Sequence, residues 1–516
     1  MNYLFILLIV VCGLIIIITY FSISTTKNAM EIVNDMGIGW NLGNSFDSYN
    51  INLELKNPDD QITLWGNKLP TKKIFSNIKK NGFKTVRFPV TWFHFMDESG
   101  NVSKEWMSKV KEVVNWIIKS KMYCILNLQH DGEKGVWLSE GIGAKKKFDN
   151  LWKQISNEFK DFNEYLIFEG MNDSLGDSFD YMILLSFTQS FVDIVRNSGG
   201  KNTNRLLIIP GLKRDFVSTC SSDYKFPIDP YKKFAISIHY NIPSLFTQES
   251  DDNPWTYLDE DGKVYIINPE TKWGREIDYK DLFTYFESMK YYFLDKGIPI
   301  VITETGVITE QKKDPSSIRE YLFAVFSISS DYNGIMSCLW DNSNKKNGDC
   351  NYYDRETNKW YDEQIGENFK KIAKKKFVKI SNFVSQKNYD IITTPDSNGY
   401  LTIRIGIKKK IIKVIFNVNI STPAISAVGF GLATETKEGK YKSYQIFGSS
   451  GKKNYDGTYS YTIDTIDKEF NNQVQVQKWW GHNLTTFNYL KIEFNENYNF
   501  FDYNEYIRRV NYSNPT

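Results

Sequence analysis

Between residues 36 and 375 the chain alternates short apolar runs with longer stretches whose apolar residues recur at helical spacing, and it does so eight times. The runs lie at residues 38–42, 85–88, 123–128, 166–169, 206–209, 234–239, 300–302 and 336–339. Runs this short and this uniformly apolar are strands buried on both faces. Between them, residues 106–119 place Met107, Val110, Val113, Val114, Ile117 and Ile118 on one helical face, and residues 72–80 do the same. Strands joined by helices pair in parallel. Eight such units in roughly 340 residues predict an α/β fold, a (β/α)8 TIM barrel. The alternative is a doubly wound open sheet, but no glycine-rich phosphate loop follows the first run.

After residue 375 the pattern changes to alternating, β-branched segments at 401–407, 411–418, 458–466, 473–477 and 489–494, separated by Gly, Asn, Asp and Lys. This predicts a C-terminal antiparallel β-sandwich over 376–516, an accessory or carbohydrate-binding-like module. Residues 4–21 form an uncharged apolar run at the lower limit of a bilayer span. With Ser22-Ile-Ser24 behind it, this run is either a signal peptide or a membrane anchor within residues 1–29, and the rest is expected to be secreted or held at the cell surface. The barrel then occupies residues 30–375. A net charge of +2 gives no case for nucleic acid as a partner, and a monomer is expected. Five scattered cysteines build no disulfide framework; Cys338 with Cys350 is the one conceivable bridge, and free thiols are favoured. No His or Cys cluster has metal spacing, so no metal or cofactor is assigned, and a carboxylate-bound calcium in a loop stays open.

In a barrel of this kind, polar residues just past strand ends line the active face. They are Asn41 and Asn44, Arg87, Gln129-His130-Asp131, Asn172-Asp173, His239-Tyr240, Glu304 and Trp340-Asp341-Asn342. A carboxylate at the end of a buried strand is costly unless it is used or paired. Glu304 and Asp173 end two such runs, and two acids flanking one cleft are what glycoside hydrolysis requires.

Several segments resemble glycoside hydrolase family 5, in particular its cellulase-like endoglucanases. They are Gly39-Trp-Asn-Leu-Gly-Asn44, Trp65-Gly-Asn67, residues 82–92, Phe168-Glu-Gly-Met-Asn172, His239-Tyr240, residues 297–304 and Trp340-Asp-Asn342. The resemblance spans residues 30–375 and implies a barrel that hydrolyses β-1,4-glucan or a related β-glycan polysaccharide with retention and without a cofactor. It implies Glu304 as nucleophile, aligned by Arg87, and Asp173 as acid/base. Asn172 would bond the sugar 2-hydroxyl, His239 would orient the acid/base, and Trp340 would floor the cleavage subsite. Trp40 or Trp137 would line outer subsites, with His130 near the sugar.

Three positions depart from the family pattern: Asp173 replaces the usual Glu, Gln129 a histidine, and Asn241 a tyrosine that bonds the nucleophile. Two readings therefore compete. One is a weakened endo-β-glycanase, and the other a non-catalytic glycan-binding pseudoenzyme of the same fold. A transglycosylase is a third. Asp131 and Glu133, which follow the third strand, read as solvated loop carboxylates, Asp173 also reads as a helix N-cap, and His94 as a packing residue beside Trp92. His482, beside Trp479-Trp480, could mark a sugar platform in the C-terminal module.

Overall fold

The computed structural model describes residues 27–374, except 173–180, 213–215, 221–223, 249–254, 259–263, 268–269, 310–311 and 344–348, and beyond residue 387 the backbone of the strands alone. Eight parallel strands close into a barrel: β1 (Gly39–Asn41), β2 (Thr85–Phe88), β3 (Tyr123–Leu126), β4 (Leu166–Glu169), β5 (Leu207–Pro210), β6 (Phe234–His239), β7 (Ile300–Thr305) and β8 (Ile335–Leu339). Each strand pairs with its sequence neighbours, and β1 pairs with β8. All eight expected strands are present, and the barrel outcome displaces the open sheet.

Helices wrap the barrel for the reasons the sequence supplies. Lys104–Lys119 starts at Ser103, whose hydroxyl accepts the N–H of Trp106, and buries Trp106, Val110, Val113, Val114 and Ile117. Pro315–Asp331 starts with proline at its first position, where no backbone N–H is needed, behind an Asp314 cap.

The interior divides along the barrel axis. Its lower layer is apolar and includes Ile125, Ile167, Ile208, Ala235, Val301 and Met336. Helix Ala29–Met36 closes that end by packing Ala29, Ile32, Val33 and Met36 against it. Two residues further along a strand the side chain faces inward again, which leads from Gly39 to Asn41, from Thr85 to Arg87, from Ile167 to Glu169 and from Ala235 through Ser237 to His239, whereas Glu304 lies three residues past Val301. These polar groups, Asn41, Arg87, Glu169, His239 and Glu304, meet one another in the upper layer.

Strand β7 carries one more residue than either neighbour between Ile302 and its end. Ile302 pairs with Ile238 while Glu304 pairs with the next residue, His239, and the β8 register slips at the same place. Such a bulge re-aims a side chain, and here it acts beside Glu304.

Beyond residue 387 the described strands form two antiparallel sheets, one built on residues 409–420 and 485–494, the other on 429–435 and 473–480. The apolar run 4–21, the segment holding Asp173 and the residue His482 lie outside the described residues. Among the described residues no helix is long and apolar enough to cross a membrane.

Candidate active site

Arg87 is the centre of the upper layer and is fully buried. Its five N–H groups are all engaged. Nε and Nη2 donate to the two oxygens of Glu169 at 2.7 and 2.9 Å. Nη2 also donates to Asn172 Oδ1 at 2.7 Å. Nη1 donates to Asn41 Oδ1 at 3.1 Å and to Glu304 Oε1 at 2.8 Å. A guanidinium fixed by a two-pronged carboxylate contact cannot rotate, so Glu169 sets the direction in which Arg87 meets Glu304. Burial opposes the charge on Arg87, but Glu169 and Glu304 outweigh it and hold its pKa above the ordinary range. For Glu169 burial dominates and pushes the pKa upward, with Arg87 opposing and the charge of Glu304 adding to the rise.

Glu304 keeps 14% of its side chain exposed, so it is anchored from below and reachable from above. Its Oε1 accepts a second bond, from Gln129 Nε2 at 3.1 Å, and its Oε2 lies 3.5 Å from His239 Nδ1. Three strands therefore converge on one carboxylate. Asn172 is buried, and among the described residues its Nδ2 has no hydrogen-bond partner. A donor left open beside Glu304 suits a hydroxyl-bearing ligand.

A cavity of about 330 Å³ opens from Glu304, lined among others by Trp340, Asn241, Gln248, Asn342 and Asp349. The Trp340 indole lies against Gly43, where an added Cβ would sit 3.1 Å from the ring and 2.9 Å from the Asp341 carbonyl. That close approach needs glycine. Asn241 lines the same cavity without a side-chain bond to Glu304. His130 pairs with Glu133 at 3.1 Å and stacks near Tyr49 and Trp65, ring centres 4.9 and 5.6 Å away, at the mouth.

Some expectations are corrected. Trp40 is fully buried with Nε1 bonded to Asp341 at 3.0 Å and Arg355 over its ring, so it has no face for a sugar. The alternation that turns Asn41 inward turns Trp40 outward, against Asp341, Tyr353 and Arg355. Asp131 is buried too, accepting Trp92 N–H at 3.0 Å and Trp137 Nε1 at 2.8 Å, and burial lifts its pKa to about 6. It is no solvated loop carboxylate. As favoured from the sequence, Cys338 and Cys350 form no disulfide, and Cys124 and Cys220 are thiols too. Trp137 is partly exposed, and the half-buried His94 accepts a backbone N–H from Asn50.

Asn127 was missed among the polar residues read from the sequence. It is buried and donates to Gln129 Oε1 at 2.7 Å. The two-residue period from Ile125 through Asn127 to Gln129 is the signal that finds it. Among the described residues no cluster of His, Cys, Asp and Glu could hold a metal ion.

The family description "Cellulase (glycosyl hydrolase family 5)" matches residues 43–346. Endoglucanase A of Clostridium longisporum is 31% identical over 379 residues, covering 68% of this chain and 69% of the relative. A solved structure described as a GH5-4 broad specificity endoglucanase from an uncultured bovine rumen ciliate is 55% identical with a TM-score of 0.66, covering 68% of this chain and 99% of the other. A lichenase from Caldicellulosiruptor sp. F32, solved as a variant in complex with cellotetraose, is 29% identical with a TM-score of 0.59, covering 67% and 96%.

Proposed function

The chain belongs to glycosyl hydrolase family 5, and from that premise we propose that it is an endo-β-glucanase acting with retention on β-1,4-glucan or a mixed-linkage relative. The observation that carries this reading is the state of Glu304: a carboxylate bonded by Arg87 and Gln129, facing His239, and open to a cavity that Trp340 helps to line. Hydrogen bonds to the ionised form keep a carboxylate available as a nucleophile. Asn172 offers its amide N–H to the sugar 2-hydroxyl, a contact that strengthens as the oxocarbenium-like transition state forms. Trp340 stacks on the sugar at the point of cleavage. Asp173, next to Asn172 in sequence, is the acid/base that protonates the leaving oxygen and later activates water.

A retained ion-pair network around Glu304 weighs against the pseudoenzyme, because a pure binder has no need to bury a guanidinium between two carboxylates. The two C-terminal antiparallel sheets form a β-sandwich accessory module, the domains divide near residues 30 and 375, and the protein is a monomer exported through residues 4–21 by cleavage or anchoring.

The test is reducing-sugar release from cellulose derivatives, lichenan, mannan and xylan. The wild type should act on the β-glucans, and Glu304→Gln should lower turnover by more than about 1,000-fold. Aryl β-cellobiosides, whose leaving groups need no proton, separate a hydrolase short of acid assistance from a binder. No turnover of either substrate type, with glucan still bound, would establish the pseudoenzyme.

A further inference from the structure

Asn127 and Gln129 follow Ile125 on the extension of β3, share its inward parity and are both buried. Their side chains join a backbone N–H to Glu304 in one chain of bonds. Val90 N–H donates to Asn127 Oδ1 at 3.1 Å, Asn127 Nδ2 donates to Gln129 Oε1 at 2.7 Å, and Gln129 Nε2 donates to Glu304 Oε1 at 3.1 Å.

The direction of this chain is forced at its start. A backbone N–H can only donate, so the Asn127 oxygen must face Val90 and its NH₂ must face Gln129. That contact claims the Gln129 oxygen and leaves the Gln129 NH₂ for Glu304. Without Asn127, the two ends of the Gln129 amide are no longer distinguished from behind. Turned over, Gln129 would set a carbonyl against the carboxylate and remove a donor from it.

We propose that Asn127, which lies behind Gln129 and away from the cavity, is a positioning residue that acts through Gln129 to keep an N–H on Glu304. The proposal rests on the reading of Glu304 as nucleophile. It also gives the Gln129 departure a role. The amide supplies the donor at every pH, because an amide does not titrate where an imidazole would.

The experiment uses the full chain and an aryl β-cellobioside, so that Asp173 is not needed as acid. Asn127→Ala should lower kcat roughly tenfold, the usual effect of losing a hydrogen bond to a charged group, with KM within about twofold. The main-chain carbonyl of Asn127, which accepts Trp92 Nε1 at 3.0 Å, is untouched by the change. In a Gln129→Met background, Asn127→Ala should cost nothing further, because the group through which it acts is gone. An equal loss in both backgrounds, or an unchanged kcat in the wild-type background, overturns the proposal. If circular dichroism shows that Asn127→Ala does not fold, the same cycle is run with Asn127→Ser, which keeps a small polar side chain at the buried position but is too short to bridge Val90 and Gln129. Full activity of Glu304→Gln would instead sink the nucleophile reading, an outcome separate from the cycle.

Discussion

Replacing a glutamate by an aspartate withdraws a carboxyl by about one C–C bond, roughly 1.5 Å. At an acid/base that displacement is enough to cost on the order of 100-fold. Asp173→Glu should therefore raise turnover of β-glucan, since positioned acid assistance is typically worth roughly 100- to 10,000-fold. Aryl cellobiosides should change little, and a rise on both substrates alike would point to some cause other than proton donation. Gln129 needs no such repair, because it already donates to Glu304. Asp131 makes a different prediction. Burial raises its pKa from 3.8 to about 6 against the bonds from Trp137 and Trp92. Between those values the folded chain holds a proton that the unfolded chain has released, so stability falls as pH rises through the window. The effect is roughly 3 kcal/mol. Asp131→Asn should flatten the urea midpoint against pH between about 4 and 6, whatever it does to absolute stability.

The barrel was legible at the scale of elements because its strands are short, apolar and bounded by turn residues, while its helices carry a 3.6-residue period. Helix Lys72–Lys80 was read to the residue, and Lys104–Lys119 to within one turn. The site was legible where parity and strand ends coincide, as at Arg87 and His239, and at Glu304 from the strand end alone. Parity also excludes Trp40, which sits between inward Gly39 and Asn41 and so faces out of the barrel, against Tyr353 and Arg355. The bulge in β7 left no mark in the sequence, since Thr303-Glu304-Thr305 scans as ordinary alternation. Only pairing with β6 and β8 shows the extra residue. Capping makes an element-scale prediction. Ser103 Oγ satisfies one of the open N–H groups at the start of Lys104–Lys119. Ser103→Ala should lower stability by about 1 kcal/mol without altering kcat. A denaturation midpoint unchanged from wild type would show that solvent satisfies that N–H equally well.

Across the whole molecule, two of the buried arginines among the described residues, Arg87 and Arg196, have opposite consequences. At the mouth, Arg87 has a carboxylate partner beneath it and another left reachable, an arrangement suited to chemistry. At the far side, Arg196 on helix Tyr181–Asn197 is buried. It holds both oxygens of Asp229 at 3.0 and 2.9 Å and the carbonyls of Asn202, Arg205 and Lys233, which lead into β5 and β6. This clamp fastens one helix to the entry of two strands and touches nothing in the active site. For Asp229, burial favours the neutral acid, but the bonds and charge of Arg196 outweigh it and hold the pKa below its ordinary value. Asp229→Ala leaves a buried guanidinium facing carbonyls alone and should cost about 3–5 kcal/mol. A depressed folded pKa means that the contribution is present above the unfolded value of 3.8 and lost as pH falls through the folded one. The gap in thermal midpoint between wild type and variant should thus be full at neutral pH and close only below about pH 4. Activity per folded molecule should be the same for both at neutral pH. A variant as stable as wild type at pH 7 would mean that Arg196 finds water in place of Asp229, and that the clamp is not what holds this helix to the barrel.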